Sequence, residues 1–464
     1  MSRLEYLFYD QGKGFSLHNR RDFLKLLGGA FGAVWLSGCG GSDFSSPITG
    51  NSLILPTTYR LTPVFQSGTP LPGGSSVLVA AQGASNQDLP FPGGLLLNDQ
   101  SQLFFHAVDN VGRLGIYRVD LNSANPSATI AKVIRNGDVL PDGNTAVHHS
   151  CGDLNNNNDF LIAIKTANGL NSLYLSRELG PLNRVLSAFD SLDSGITLHG
   201  HIKGSATLHD DSDFLFTSNF YDPTRSRGNS QGLFFVPKAD TSKAELLLAS
   251  GDLLPGLEAT VNTIGHSQLH SQGRFVVHGA ASPLSGQSSN PHLSYVLRGK
   301  VNEEHQLLGF HPDLPHSQMM PTSVAMGTAV MSPRLGHSSH STLVHLSTNE
   351  SELRVDGRVV YLAQAPGGAS LSPRGNPIVS MLPPVFGPSG LFLVQLFTTQ
   401  GMELVVSNGT QSATVMARGD KLDGQTINTI LCGALARGAN RRAEFATVVE
   451  FTNKQHAIVL GTPV

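Results

Sequence analysis

From about residue 95 onward the chain repeats one hydrophobic pattern: a polar hinge, then five to seven residues later a short apolar run. The hinges fall at Asn98, Asn155, His209, His270, His337 and Asn440, with a degenerate one near Phe386–Gly390. The runs that follow include Leu103-Phe104-Phe105, Phe160-Leu161-Ile162, Phe214-Leu215-Phe216 and Phe275-Val276-Val277. Leu343-Val344, Leu391-Phe392-Leu393-Val394 and Phe445-Ala446-Thr447 complete the series. Such runs, bounded by Gly, Pro, Asn and Asp, read as strands. The unit is best seen in Ala249–Ala280, which opens on Gly-Asp and a Leu-Pro-Gly turn before an extended segment, a hinge and a strand.

Seven such units with a period of about 50–65 residues fit repeat architecture rather than separate domains. The second unit predicts four strands, at Ala146–Cys151, Phe160–Lys165, Ser172–Ser176 and Arg184–Ala188. The expectation is therefore an all-β chain, a seven-bladed β-propeller of four-stranded blades over residues 76–464, with a pair of β-sandwiches as the alternative. The last unit ends after its third strand. Val77–Ala81 resembles the strand-and-turn Thr414–Gly419 that closes other units, and it is predicted to pair into the final blade and cover its edge.

Composition agrees with an all-β chain. Charged residues make up 14%, against about 25% in ordinary soluble domains, and glycines number 50. A net charge of −3 supplies no basic field for a phosphate backbone, which argues against a nucleic-acid partner.

The N-terminus carries an address. Arg20-Arg21-Asp22-Phe23-Leu24-Lys25 precedes the apolar run Leu26–Trp35, which ends in Leu36-Ser37-Gly38-Cys39. The run is too short for the roughly 20 residues of a membrane-spanning helix and reads as the apolar part of a signal peptide. Arg20, Arg21, Phe23 and Leu24 resemble a bacterial twin-arginine export signal, and Leu-Ser-Gly-Cys resembles a lipobox. The resemblance implies a signal peptide at residues 1–38, export by the twin-arginine translocase and acylation of Cys39. A residue carrying several acyl chains holds a protein at a membrane, at about 0.8 kcal/mol per buried methylene. Gly40 after the cysteine resembles outer-membrane sorting, so the expected location is the bacterial cell envelope, facing the periplasm or the cell surface. Residues 39–75, rich in Ser, Gly, Thr and Pro, are expected to be a flexible tether.

The hinge pattern resembles tandem-repeat proteins of bacterial surfaces whose repeats read Asn-x-x-Gly-x-x-Ala-Phe-x-Ala. Asn98, Phe105 and Ala107 carry the likeness, with Ser101 in place of Gly and Phe104 in place of Ala. Other units keep the hydrophobic positions with His for Asn. The resemblance implies a fold and no activity.

Candidate chemistry is sparse. Gly137-Asp138, Gly251-Asp252 and Gly419-Asp420 each begin a Gly-Asp turn that an Asp side chain can fix by bonding amides two residues on. Each loop has too few carboxylates for calcium. His209, His270 and His337 stand where other hinges have Asn, and His106, His278 and His345 lie on second strands of different units. Both groups read as structural. In a propeller the first strand of each blade lines the channel, which makes His149, Cys151, His201, Lys203, Asn262, His266, Asn428 and Cys432 the candidate binding ring. The same residues also suit plain packing at a narrow axis. Cys151 and Cys432 occupy matching positions of non-adjacent units, too far apart for a disulfide, and are expected to be free thiols. No catalytic elbow, His-Glu-x-x-His or paired Cys-x-x-Cys occurs. His148-His149 with Asp153, and His199-Gly-His201 with His209-Asp210-Asp211, match no strong motif.

The sequence therefore predicts a membrane-tethered, non-catalytic binding or scaffold module for a protein or glycan. It needs no cofactor beyond the lipid on Cys39, with a metal left open. The alternative is an envelope lyase or hydrolase built on the channel histidines.

Overall fold

The computed structural model describes residues 55–464 apart from 73–75, 78–94, 150–151, 203–205, 226–228, 256–257, 270–272, 285–292, 302–305, 311–329, 336–339, 346–349, 356–357, 365–367, 383, 387–390 and 436–442. Among the described residues there are seven antiparallel sheets of four or five strands and one two-stranded ribbon. Within each sheet successive strands are neighbours, as consecutive short strands favour, except that the last sheet also takes a strand from near the start of the chain. The arrangement is all-β.

In chain order, sheet one holds Leu95–Leu97, Gln102–Val108, Leu114–Asp120 and Ala131–Arg135. Sheet two starts at Ala146–His149, sheet three at Thr197–Ile202 and sheet four at Ala259–Leu269. Sheet five starts at Val330–Leu335, sheet six at Ile378–Met381, and the long first strand of sheet seven is Gln425–Leu435. Every hinge identified by pattern falls in sequence between the first and second strands of a sheet, those at His270, His337 and Asn440 lying outside the described residues. Even the degenerate one does so, since Val385 pairs with Leu393 and Phe386 with Phe392 on either side of it.

Antiparallel pairing then fixes the ends. The hinges and the turns between third and fourth strands share one end of each sheet, the hinge end. The turns between second and third strands, and the segments leading to the next sheet, share the other, the connection end.

Sheets pack in chain order through shared apolar cores. Phe104, Ile116, Phe160 and Ile162 join sheets one and two, while Leu161, Leu173, Phe216 and Phe234 join two and three. Leu215, Leu233, Phe275 and Tyr295 join three and four, and Leu353, Tyr361, Phe392 and Val394 join five and six. Sheet five meets sheet four through Val330–Leu335, which contacts Ala259–Leu269 and Arg274–Pro283. Leu404, Val406, Ile430 and Phe445 join six and seven. Ala446, Val448 and Ile458 of sheet seven pack with Leu103, Phe105 and Tyr117 of sheet one, so the last sheet rests on the first.

The closing strand differs from the one expected. Tyr59–Gln66 pairs antiparallel with His456–Pro463 along its length, from Tyr59 against Pro463 to Gln66 against Ala457. Val77 instead pairs with Pro70 in the two-stranded ribbon, and residues 78–81 lie outside the described residues. The segment expected to be tether is thus structured from Tyr59 onward. Its sequence shows why: the outermost strand of a sheet needs alternation, not continuous hydrophobicity. Tyr59, Leu61 and Pro63 stand between Arg60 and Thr62 accordingly, and Pro63 is tolerated at an edge beside the bulge between Pro63 and Phe65. Phe65, 2% exposed, stacks on Phe105 at 5.3 Å and so ties the closing strand to sheet one.

Candidate binding faces

The hinge end is built from asparagine. Asn98 Oδ1 accepts from the amides of Gln100 (3.1 Å) and Gln102 (2.9 Å), closing its own turn. Asn98 Nδ2 donates to the Asn155 carbonyl at 3.0 Å, reaching the hinge of the next sheet. Asn155 repeats this. Its Oδ1 accepts from Asn157 and Asp159, and its Nδ2 donates to the His209 carbonyl at 3.0 Å. Both side chains are fully buried, where an amide must find all its partners. At the third hinge, His209 Nδ1 accepts from the Asp211 amide at 3.3 Å, so the imidazole stands in for the asparagine oxygen. The structural reading of that histidine holds.

The third residue after five of the hinges explains the motif's glycine. Ser101, Asn158, Ser212, Gly273 and Ala443 sit there with φ between +51° and +69°, the left-handed region that favours Gly. Where the residue is not glycine, its side chain often works. Ser212 Oγ donates to Asp159 Oδ2 (2.8 Å), and Asn158 Oδ1 accepts from Asn98 Nδ2 (2.7 Å).

The connection end has its own repeated turn. The amides of Gly137, Phe189, Gly251, Gln364 and Gly419 donate to the carbonyls of Ala146, Leu198, Val261, Ile378 and Ile427 respectively, which makes these five positions equivalent. All five have positive φ: +93°, +73°, +94°, +48° and +92°. The next residue is Asp at four of them. Asp190, Asp252 and Asp420 each accept, through Oδ2, the amide three residues back, at 2.7–2.8 Å. The Gly-Asp turns are structural, as expected, but the bond runs backward rather than two residues on. Two positions after Asp, Leu140, Leu192, Leu254 and Leu422 are buried and anchor the turn. The residue between points outward: Val139 is 72% exposed and Leu253 63%, with Leu371 59% exposed in the corresponding turn before sheet six.

Exposed large apolar side chains concentrate at this end. Val139, Phe189, Leu253 and Leu371 lie in the inter-sheet turns. Val111, Tyr221 and Leu284 lie at turns between second and third strands, and Val147 lies near the start of a first strand. Among the described residues only Val359 and Val464 of that class lie elsewhere.

Of the expected channel ring, the surroundings of only some side chains are described. His149 is 3% exposed and faces sheet one: its ring lies parallel to that of His106 at 5.5 Å, with Nε2 3.5 Å from the Leu114 carbonyl. Asn428 donates from Nδ2 to Glu450 Oε1 at 2.6 Å, within its own sheet. Asn262 is half-buried and, like Asn428, lies where the register slips between first and second strands. Bulges of this kind redirect side chains, so alignment along first strands does not by itself place them on one axis. His201, His266 and Cys432 sit on first strands as expected, and nothing further is described of their side chains. Cys151, Lys203, Cys39, Arg20, Arg21, Phe23 and Leu24 lie outside the described residues.

Around Asn428 the charges are coupled. Burial works against the Glu450 carboxylate, but bonds from Asn428 and Lys454 outweigh it and hold its pKa below the usual range. Burial pushes the His456 imidazole down, against the pull of Glu450 3.6 Å away. Among the described residues no three His, Cys, Asp or Glu side chains gather in a way that could hold a metal ion, and no helix is long and apolar enough to cross a membrane.

Sequence reasoning missed one group. Phe189, 57% exposed, meets His199 edge-on at 5.4 Å, and His199 meets Tyr221 at 6.4 Å. The available signal was Phe189-Asp190 standing where other units have Gly-Asp.

No family model matches this chain, and no curated protein matches it. It is similar in structure to prolyl oligopeptidase B from Galerina marginata, with 11% identity, 76% of this chain and 46% of that one covered, and a TM-score of 0.44. An acylaminoacyl peptidase from Pyrococcus horikoshii gives 8% identity, 78% and 53% coverage and a TM-score of 0.40. A Trypanosoma rangeli sialidase gives 10%, 70% and 57%, and 0.35. The chain spans about half the length of the peptidases it matches.

Proposed function

We propose that the seven sheets are the blades of one closed β-propeller, held at a bacterial envelope membrane by lipid on Cys39, whose connection end binds a partner. The observation that carries this is the sorting of exposed apolar side chains to that end. Where such residues join into a contiguous patch, they mark an interaction site.

The tether supports the orientation. Tyr59 pairs with Pro463 and donates to the Ala443 carbonyl, so the chain enters at the hinge end of sheet seven. Cys39 precedes Leu55 by a segment that could span about 50–60 Å if fully extended. The polar hinge end is then the end nearer the anchor along the chain, and the apolar connection end the farther one.

Site-specific photo-crosslinkers test this in cells that make the protein. Placed at Leu253 or Leu371 they should give discrete adducts, and placed at Asn156 or Asp99 they should not. Equal yields from both ends, or none from Leu253 and Leu371, would sink the proposal. The Cys39→Ala variant should leave the membrane fraction; if it stays there, the anchor is elsewhere.

A further inference from the structure

The turn before sheet three departs from its equivalents in two ways at once. It places Phe189 at φ +73° where three of the other four have Gly, and Ser191 where others expose Val139, Leu253 or Leu371. An L-residue in the left-handed region is strained by its own Cβ. At the hinge end such strain is offset for Ser212 by a buried side-chain bond and for Asn158 by a half-buried one. Phe189 is 57% exposed, so packing gives no comparable return. Persistent strain without a stabilising return is where a functional constraint is to be sought.

What surrounds the ring states the chemistry. Phe189 and Tyr221 flank the exposed His199, each meeting its ring at a steep angle, 78° and 62°. The Ser191 and Thr197 hydroxyls lie 3.3 Å apart on the exposed side of the turn. Thr197 is opposite Tyr221, and exposed Asn219 is opposite His199. Among the carboxylates nearby, Asp190 accepts the Ser187 amide, Asp222 and Asp252 share Arg225, and Asp193 stands exposed in the same turn. Aromatic faces, hydroxyls, an amide and an imidazole thus meet without a free cluster of charge.

We infer that Phe189, His199 and Tyr221 form a subsite for a neutral carbohydrate. The C–H face of a pyranose would lie on an aromatic ring, and its hydroxyls would bond to Ser191, Thr197, Asn219 and His199. A phosphorylated or nucleic-acid ligand would want cations that this cluster does not offer. The inference rests on the connection end being the binding end and names the ligand class for one turn of it.

Native affinity gels of the full, detergent-solubilised protein provide the test, cast with cellulose-type glucan, chitin-type glucan, mannan or galactan. At least one should retard the protein. Phe189→Gly and Tyr221→Ala should each weaken that retardation at least tenfold, with the melting temperature of Phe189→Gly equal to or above that of the parent. An unretarded parent in all four gels overturns the inference, as does either variant binding as strongly as the parent. If Leu253 still yields crosslinks while the gels show nothing, only the carbohydrate assignment falls; if those crosslinks also vanish, the binding reading falls with it.

Discussion

The two ends of the sheets solve one backbone problem with different chemistry. Both need a residue at positive φ where the chain turns. At the hinge end the turn is closed by Asn98 and Asn155, whose amides also reach the next sheet, so each turn is a joint between sheets. At the connection end it is closed by Asp190, Asp252 and Asp420 bonding their own sheet, while a buried Leu anchors the loop and its neighbour is left outside. The first design spends its side chains on cohesion. The second satisfies itself locally and leaves a surface free to vary, which is what a binding face on a repeated scaffold requires.

The comparison can be broken in order of size. Deleting residues 59–66 should abolish a cooperative melting transition, because it bares the His456–Pro463 edge and removes Phe65 from the core. An unchanged transition would show that the seam does not hold the ends in place. Asn155→Ala should destabilise by about 2–4 kcal/mol in denaturant unfolding, since it strands several amides and a carbonyl. A loss no larger than for an exposed substitution would remove the hinge end's claim to cohesion.

Smaller effects sharpen the contrast. Gly251→Ala should cost about 1–2 kcal/mol by forcing a Cβ into the left-handed region. Ala443→Gly, at the hinge end, should gain a comparable amount, and calorimetry would read both. Leu253→Ser and Leu371→Ser should alter stability by no more than about 0.5 kcal/mol, as exposed substitutions do, while each weakens the adducts formed by a crosslinker at the other position.

Acid should act at the seam. His456 and Glu450 both have pKa values below their unfolded references, so each adds stability that is present above the reference and lost as pH falls. The melting temperature should therefore decline from about pH 6.5 downward through His456, then again below about pH 4.3 through Glu450. His456→Gln should erase the first decline and keep the second. His456 exchanges backbone and hydroxyl bonds with Ser67, so the change should reach the closing strand.

The sequence read well where information is local. Hinges, first turns and apolar second strands recur because a polar turn before a buried strand is legible from neighbours alone. The closing strand lies elsewhere than expected because the expectation rests on the likeness of Val77–Ala81 to Thr414–Gly419, whereas an edge strand is chosen by what it pairs with, and Pro463 and Ala457 are some 400 residues from Tyr59 and Gln66. The ring of candidate residues was chosen by alignment along first strands, which a bulge undoes by one residue.

By itself, then, the chain determined the repeat, the hinge chemistry and the all-β class, since each follows from residue type and spacing within a single unit. Only the tertiary structure decided which strand closes the last sheet, that His149 turns toward His106, and that Phe189, His199 and Tyr221 meet. Those outcomes depend on register and on the packing of one sheet against the next, and no local pattern carries that information.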